Sequence, residues 1–441
     1  MSQSSDVVVT GIGPVTAIGS GCEEFWQALI AGKLGVGSLQ RRDDGGPKPF
    51  ADWAQRPDAG HWVGAPIVGF DGAQHVRPRK AMKVMGRELQ TAFAAAAMAN
   101  QQAGVADAIT DGYLVVDRIA TVFGSQMFYG PVSELQEAIR QSRDRSGQYQ
   151  LSLFGAAAMR EIMPLWMLKY LPNMPACHVG ISIGATGANN TIVSGDVSST
   201  SALIEAVGLL RRGIADLVVC GGSGNLIDST YLVYRGDAPV PEINDPLELS
   251  SRPHTREATG VVGGEAAASL VIERADIAAN RGATPLAVVA GSASRFSAAP
   301  RGRGGSAASI GAAIEAALSQ SGLNADRIGL VVSHGMGHPS RDAAERQAVA
   351  DSLPSTPLVM PIGTTGHCGA AIGAVYLVVA VLALVHRTLP PSFLHGTPHA
   401  GWEDRFTDSP KPLDRDAVLV LTHTSQGIAN AVVLRTADHA T

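Results

Sequence analysis

Two histidines stand in glycine-rich stretches: His334 opens HGMGHPSRDAAE (334–345), and His367 lies within TTGHCGAAIGA (364–374). Histidine exchanges protons near neutral pH and is also the commonest metal ligand, so a pair of them can serve either chemistry. His338 and His423 extend the set to four. Together they permit proton transfer or a metal site, but their sequence spacing sets no coordination geometry, and no metal is assigned. A nucleophile is harder to find. Cys22, Cys177, Cys220 and Cys368 are widely separated and form no CxxC pair, which suggests neither a zinc knuckle nor a disulfide framework. Cys220 lies in an apolar run and Cys368 follows His367, so both read as small packing residues. Ser198, Ser199 and Ser201 crowd the stretch GDVSSTSALIEA (195–206), and a hydroxyl becomes a nucleophile when a base activates it. Capping of a helix start by Asp196 and Ser198, with Leu203, Ile204 and Ala206 as its apolar face, explains the same residues more simply.

The elements that must position these groups show in the hydrophobic pattern. IATVFGS (119–125), ADLVVCGGS (215–223), ASLVIER (268–274), IGLVVSHG (328–335) and DAVLVLTH (416–423) are nearly continuous apolar runs. Strands of that kind are buried on both faces, which predicts a layered α/β architecture. The punctuation repeats in two halves: DVVVTGIGPVTAIGSG opens as a strand into a Gly-rich turn, and PLAVVAGSAS restarts the pattern near Thr284. AAIGAVYLVVAVLALV (370–385) is apolar throughout but about one turn short of the roughly 20 residues of a comfortable span. Its Gly-rich entry and the His386-Arg387 stop predict a buried core helix and no membrane span.

The chain has 441 residues, 45% of them hydrophobic and 17% charged, with a formal net charge of −5. That composition supplies an ample core, and no basic cluster interleaved with aromatics points to nucleic acid. The scattered cysteines and the start MSQSSDVVVTGIG, without a basic or long apolar leader, predict a cytoplasmic protein.

VVVTGIGPVTAIGSGCEEFWQALIAGKLGVG resembles the opening of a β-ketoacyl-acyl carrier protein synthase, of the thiolase-like condensing enzymes. RRGIADLVVCGGSGN (211–225), SRP…GVVGGEAAASLVIERADIAANRGA (251–283) and the two histidine motifs match further family segments in the same order along almost the whole chain. The resemblance implies a five-layer α-β-α-β-α fold with two pseudo-symmetric halves, 1–275 and 284–441. It implies a homodimer, or a heterodimer with an active ketosynthase, paired through edge strands of the N-terminal half.

The family's chemistry, as the resemblance implies it, uses a Cys at a buried helix start as acyl acceptor. Two histidines then help decarboxylate a malonyl thioester and stabilise the enolate oxygen. His334 and His367 take the histidine positions, and Asp342 and Glu345 match the acidic pair after the first. Val197 is expected at the nucleophile position, where it offers no lone pair. Ile362 replaces the usual Lys, and the oxyanion loop reads Thr424-Ser425-Gln426-Gly427-Ile428, with Asn430 retained. Ser198, Ser425, Gln426, Gly427 and Asn430 are expected to line the substrate, with His338 and His423 in support.

The resemblance therefore implies a non-condensing, chain-length-factor-like subunit of fatty acid or polyketide assembly, partnered with an active ketosynthase. Its ligand would be the phosphopantetheine thioester of an acyl carrier protein, without another cofactor. Two further readings stay open: decarboxylation or acyl transfer through His334 and His367 without a covalent step, and a carrier-protein docking module with no catalysis.

Overall fold

A computed structural model describes residues 6–39, 62–128, 130, 133–233, 235–236, 238–243, 246–299 and 305–437. The strands that build the frame are β1 (Val7–Thr16), β2 (Ile119–Gly124), β3 (Asn189–Ile192), β4 (Leu217–Asn225), β5 (Gly263–Arg274), β6 (Ala287–Phe296), β7 (Ile328–Val332), β8 (Leu358–Val359), β9 (Ala417–His423) and β10 (Ile428–Thr436). They hydrogen-bond in the order β8-β7-β9-β10-β6-β1-β5-β4-β2-β3. β2 pairs parallel with β3 and β4, and β7 pairs parallel with β8 and β9, so the same motif recurs in each half. Antiparallel β5 and β10 then lead toward the middle. The join is thin, since β1 and β6 share only the Val8–Val288 and Val9–Ala287 pairs.

Helices complete the layers. α1 (Arg87–Gln102) and α2 (Met174–Ile183) cover the outer face of the first half, while α4 (Ala307–Ser321) and α5 (Pro339–Ser352) cover the second. Between the halves lie α3 (Ser198–Arg211) and α6 (Ile372–His386), which touch strands of both. This is the five-layer α-β-α-β-α arrangement that the resemblance implies, and a layered α/β architecture as the buried strand pattern predicts.

α6 is buried from Ile372 to Leu384, so a helix with no polar face is stable only inside the protein. The run Gly369–His386 is long and apolar enough to cross a membrane by composition, yet 89% of it is buried here. β2 and β4 meet α3 through glycines. A Cβ on Gly124 would come within 2.2 Å of the Ser199 amide nitrogen, and one on Gly222 within 2.8 Å of the Ser199 Cβ. Close backbone approach therefore fixes where α3 begins.

Candidate active site

The chain enters α3 through one 3-10 turn, Gly195–Val197, with Gly195 at φ 64° where a side chain would be strained. Ser198 Oγ donates to the Gly195 carbonyl (2.6 Å) and accepts from the Ser194 amide (2.9 Å), closing the turn. Successive residues of a helical turn point about 100° apart. Here that rotation sends the Val197 side chain into the core, fully buried, and turns Asp196 toward the histidines.

This corrects the expectation for Val197. The residue facing both histidines is Asp196, one position earlier: its Oδ1 lies 3.3 Å from His367 Nε2 and its Oδ2 lies 3.6 Å from His334 Nε2. Arg341, on the first turn of α5, brings Nη1 to 3.3 Å from the same Oδ2. Asp196 is no helix cap; the start of α3 has no side-chain cap.

The loop that presents His334 is folded by the acidic pair. Asp342 accepts from the amides of Met336 (2.9 Å), Gly337 (3.0 Å) and His254 (2.9 Å). Glu345 Oε1 accepts from the His334 amide (3.0 Å) and Ser333 Oγ (2.7 Å), while its Oε2 lies 3.1 Å from His423 Nε2. His254 Nε2 adds a contact to Ser333 Oγ at 2.8 Å. The His423 ring meets the His334 ring edge to face, 4.7 Å between centroids. His367 hangs from its own backbone, whose amide donates to Val262 and whose carbonyl accepts from Gly264.

Electrostatics follow from this packing. Burial opposes ionisation of Asp196, but the proximity of His367 and then of His334 outweighs it and holds the carboxyl well below its usual range. Burial pushes His334 down to about 4, against the pull of Asp196, so its imidazole is neutral at pH 7. Burial would raise Glu345 too, but the His423 hydrogen bond and the surrounding imidazoles bring it to about 2. The thiols offer no substitute nucleophile: burial pushes Cys220 up to about 12 and Cys368 higher still.

A pocket of about 300 Å³ opens beside the cluster, lined in part by Asp196, Met336, Arg341, His367, Ser425 and Gln426. Ser425 and Gln426 belong to a hairpin in which the Thr424 amide donates to the Ile428 carbonyl and Gly427 adopts φ 106°. Ser198, Gly427 and Asn430, expected beside the substrate, do not line this pocket. Ser198 spends its hydroxyl on the turn, and buried Asn430 braces α3 with its amide 3.0 Å from Thr200 Oγ1 and 2.8 Å from Ser201 Oγ. Ile362 is fully buried, and its carbonyl accepts from Ser251 Oγ. His338 sits at the head of α5 with Nδ1 3.2 Å from Ser340 Oγ, outside the Asp196–His334–His367 trio.

Ligand atoms of that trio lie within 4.8 Å of one another, the spacing of a metal site. Its donor set fits a metal poorly. His367 Nδ1 accepts from the Gly369 amide at 3.4 Å, which places the neutral ring's proton on Nε2, the atom that would have to coordinate. The Arg341 guanidinium already shares the carboxylate.

Sequence reasoning missed Arg341 and the pairing role of Asp196. An arginine one residue before Asp342 was visible, but its partner lies 145 positions away.

Residues 4–278 match the family described as Beta-ketoacyl synthase, N-terminal domain, and residues 286–395 match Beta-ketoacyl synthase, C-terminal domain. The tetracenomycin polyketide synthase ketoacyl synthase beta subunit of Streptomyces glaucescens is 29% identical over 99% of both chains. A 3-oxoacyl-[acyl-carrier-protein] synthase 2 of Synechocystis is 29% identical over 88% of this chain and 87% of its own. The crystal structure of a Burkholderia phymatum β-ketoacyl synthase superposes with a TM-score of 0.82 at 25% identity, covering 98% of this chain and 99% of that one. With the strand order, the paired histidines and the acidic pair in place, the chain belongs to the β-ketoacyl synthase family.

Proposed function

We propose that this chain is a non-condensing subunit of fatty acid or polyketide assembly, acting in the cytoplasm beside an active ketosynthase and shaping the acyl pocket. One observation carries the reading: the group held between the two histidines is the carboxylate of Asp196, not a thiol. An ionised carboxylate hydrogen-bonded and paired with Arg341 is a poor nucleophile toward a thioester. It also fills the space where His334 and His367 would meet a substrate oxygen, which disfavours decarboxylation without a covalent step. The likeness to a ketoacyl synthase beta subunit over 99% of both chains supports the pairing.

Partner surfaces fit the same reading. β3 ends the sheet, and Ile181, Val193, Met159 and Leu165 are exposed at 75%, 50%, 87% and 66%. We take these exposed apolar side chains, with the open edge at β3, as the candidate partner surface. The second partner is an acyl carrier protein, whose phosphopantetheine thioester is the expected ligand and no other cofactor is needed.

Co-expression with a ketosynthase encoded beside this chain tests the proposal. A stable complex is expected, burying more than roughly 2,000 Å², with chain length altered when this subunit is omitted. Condensing activity by this chain alone, with an acyl adduct in its intact mass, would overturn it. Binding of carrier protein without a ketosynthase partner would favour a docking module instead.

A further inference from the structure

Asp196 is ringed by donors that it does not reach well. Its oxygens lie 3.3 Å from His367 Nε2, 3.6 Å from His334 Nε2 and 3.3 Å from Arg341 Nη1. Charge-assisted N–H···O bonds are shorter, about 2.7–2.9 Å. His334 is fully buried, and neither of its ring nitrogens, nor His367 Nε2, has a hydrogen-bond partner of good geometry. The carboxylate is tethered to the 3-10 turn Gly195–Val197.

We propose that His334, His367 and Arg341 form a carboxylate-binding site that the chain fills with its own Asp196, and that removal of this side chain lets a free small carboxylate bind. The charge around the site supports an anion. Arg341 contributes a cation, and His367 presents Nε2–H because its Nδ1 accepts from the Gly369 amide. The nearby acids are committed elsewhere: Asp342 to three backbone amides, and Glu345 to Ser333, His423 and the His334 amide. His254 faces Ser333, and Tyr376 packs against the His334 ring, so neither adds negative charge. The pocket of about 300 Å³ gives a route to the vacated position. An untethered formate can settle closer to all three donors than Asp196 does. The site does not depend on the subunit role proposed above.

Formate is the probe, with chloride at matched ionic strength as control. The Asp196→Ala variant is expected to melt lower than the wild type and to regain at least half of the loss, saturably, in formate. The wild type is expected not to respond. Adding Arg341→Met should weaken the formate response about tenfold, the loss of one charge-assisted contact. Equal responses to formate and chloride, or an equal response in the wild type, would overturn the proposal. Should Asp196→Ala not fold, histidine side-chain nitrogen NMR of the wild type and of the near-isosteric Asp196→Asn decides. Nε2–H tautomers at both histidines, with both resonances displaced in Asp196→Asn, support the site. An Nδ1–H tautomer at His367, or stoichiometric zinc binding by the wild type that Asp196→Ala abolishes, overturns it.

Discussion

Arg341 Nη1 lies 3.3 Å from Asp196 Oδ2, an ion pair between the first turn of α5 in one half and the threshold of α3 in the other. The side chains are 7% and 16% exposed, so the pair is shielded from solvent where surface pairs are not. It ties the residue between the two histidines to the helix that begins just after the His334 loop.

The one-residue difference between Asp196 and Val197 can be tested directly. Asp196→Cys is expected to place a thiol between the histidines, beside the pocket, and to react with iodoacetamide or an acyl mimic. Val197→Cys is expected to stay unlabelled in the native state, because that side chain is fully buried. Intact-mass measurements with time would show it, and faster labelling of Val197→Cys would reverse the assignment.

Stability should fall in two steps on acidification. Burial holds His334 at about 4 against an ordinary 6.5, so the unfolded chain takes up its proton first. The contribution is complete above about pH 6.5 and is lost as pH falls toward about 4, roughly 3 kcal/mol in all. Glu345, held at about 2 against 4.5, loses its contribution lower down, between about pH 4.5 and about 2. Denaturant titrations at pH 7 and pH 4.5 should show the first step, and His334→Gln should flatten it. An unchanged slope in that variant would mean another group carries the step.

Gly124→Ala would drive a methyl into the Ser198–Ser199 backbone, 2.2–2.4 Å away. Backbone cannot yield as a side-chain tip can, so a loss of roughly 2–3 kcal/mol is expected, within the range for overpacking. Displacement of α3 should also perturb the His334 and His367 resonances. A native denaturation midpoint would show that the helix start tolerates the shift.

Ile181→Glu together with Met159→Glu should abolish assembly with a ketosynthase while leaving the monomer's stability within about 0.5 kcal/mol, as exposed substitutions do. Light scattering of the mixed proteins is the readout. Undiminished complex formation would place the interface elsewhere.

Much of this was legible in the chain. The continuous apolar runs that become β2, β4, β5, β7 and β9 announce strands buried on both faces, and the motif around His334 announces the acids that fold its loop. Residues 195–198 were not legible to the last position. A helix start read from composition is uncertain by a residue, and in a helical turn one residue is about 100° of direction. Val197 and Asp196 exchange core for cavity within that angle. The Arg341 contact escaped for another reason: local pattern says which face of α5 is buried, but not what a strand order linking distant segments will set opposite it.

α6 has a consequence for how the protein is made. From Ile372 to Leu384 it is buried on every side, against β9 and β10 of its own half and β1, β4 and β5 of the other. A fragment cut between residues 275 and 284 would release the later half with this greasy rod unsheathed, and such a fragment should aggregate rather than fold. On the ribosome the helix emerges after the first-half strands β1, β4 and β5 that receive it. The linear order of the gene thus supplies the sheath before the blade.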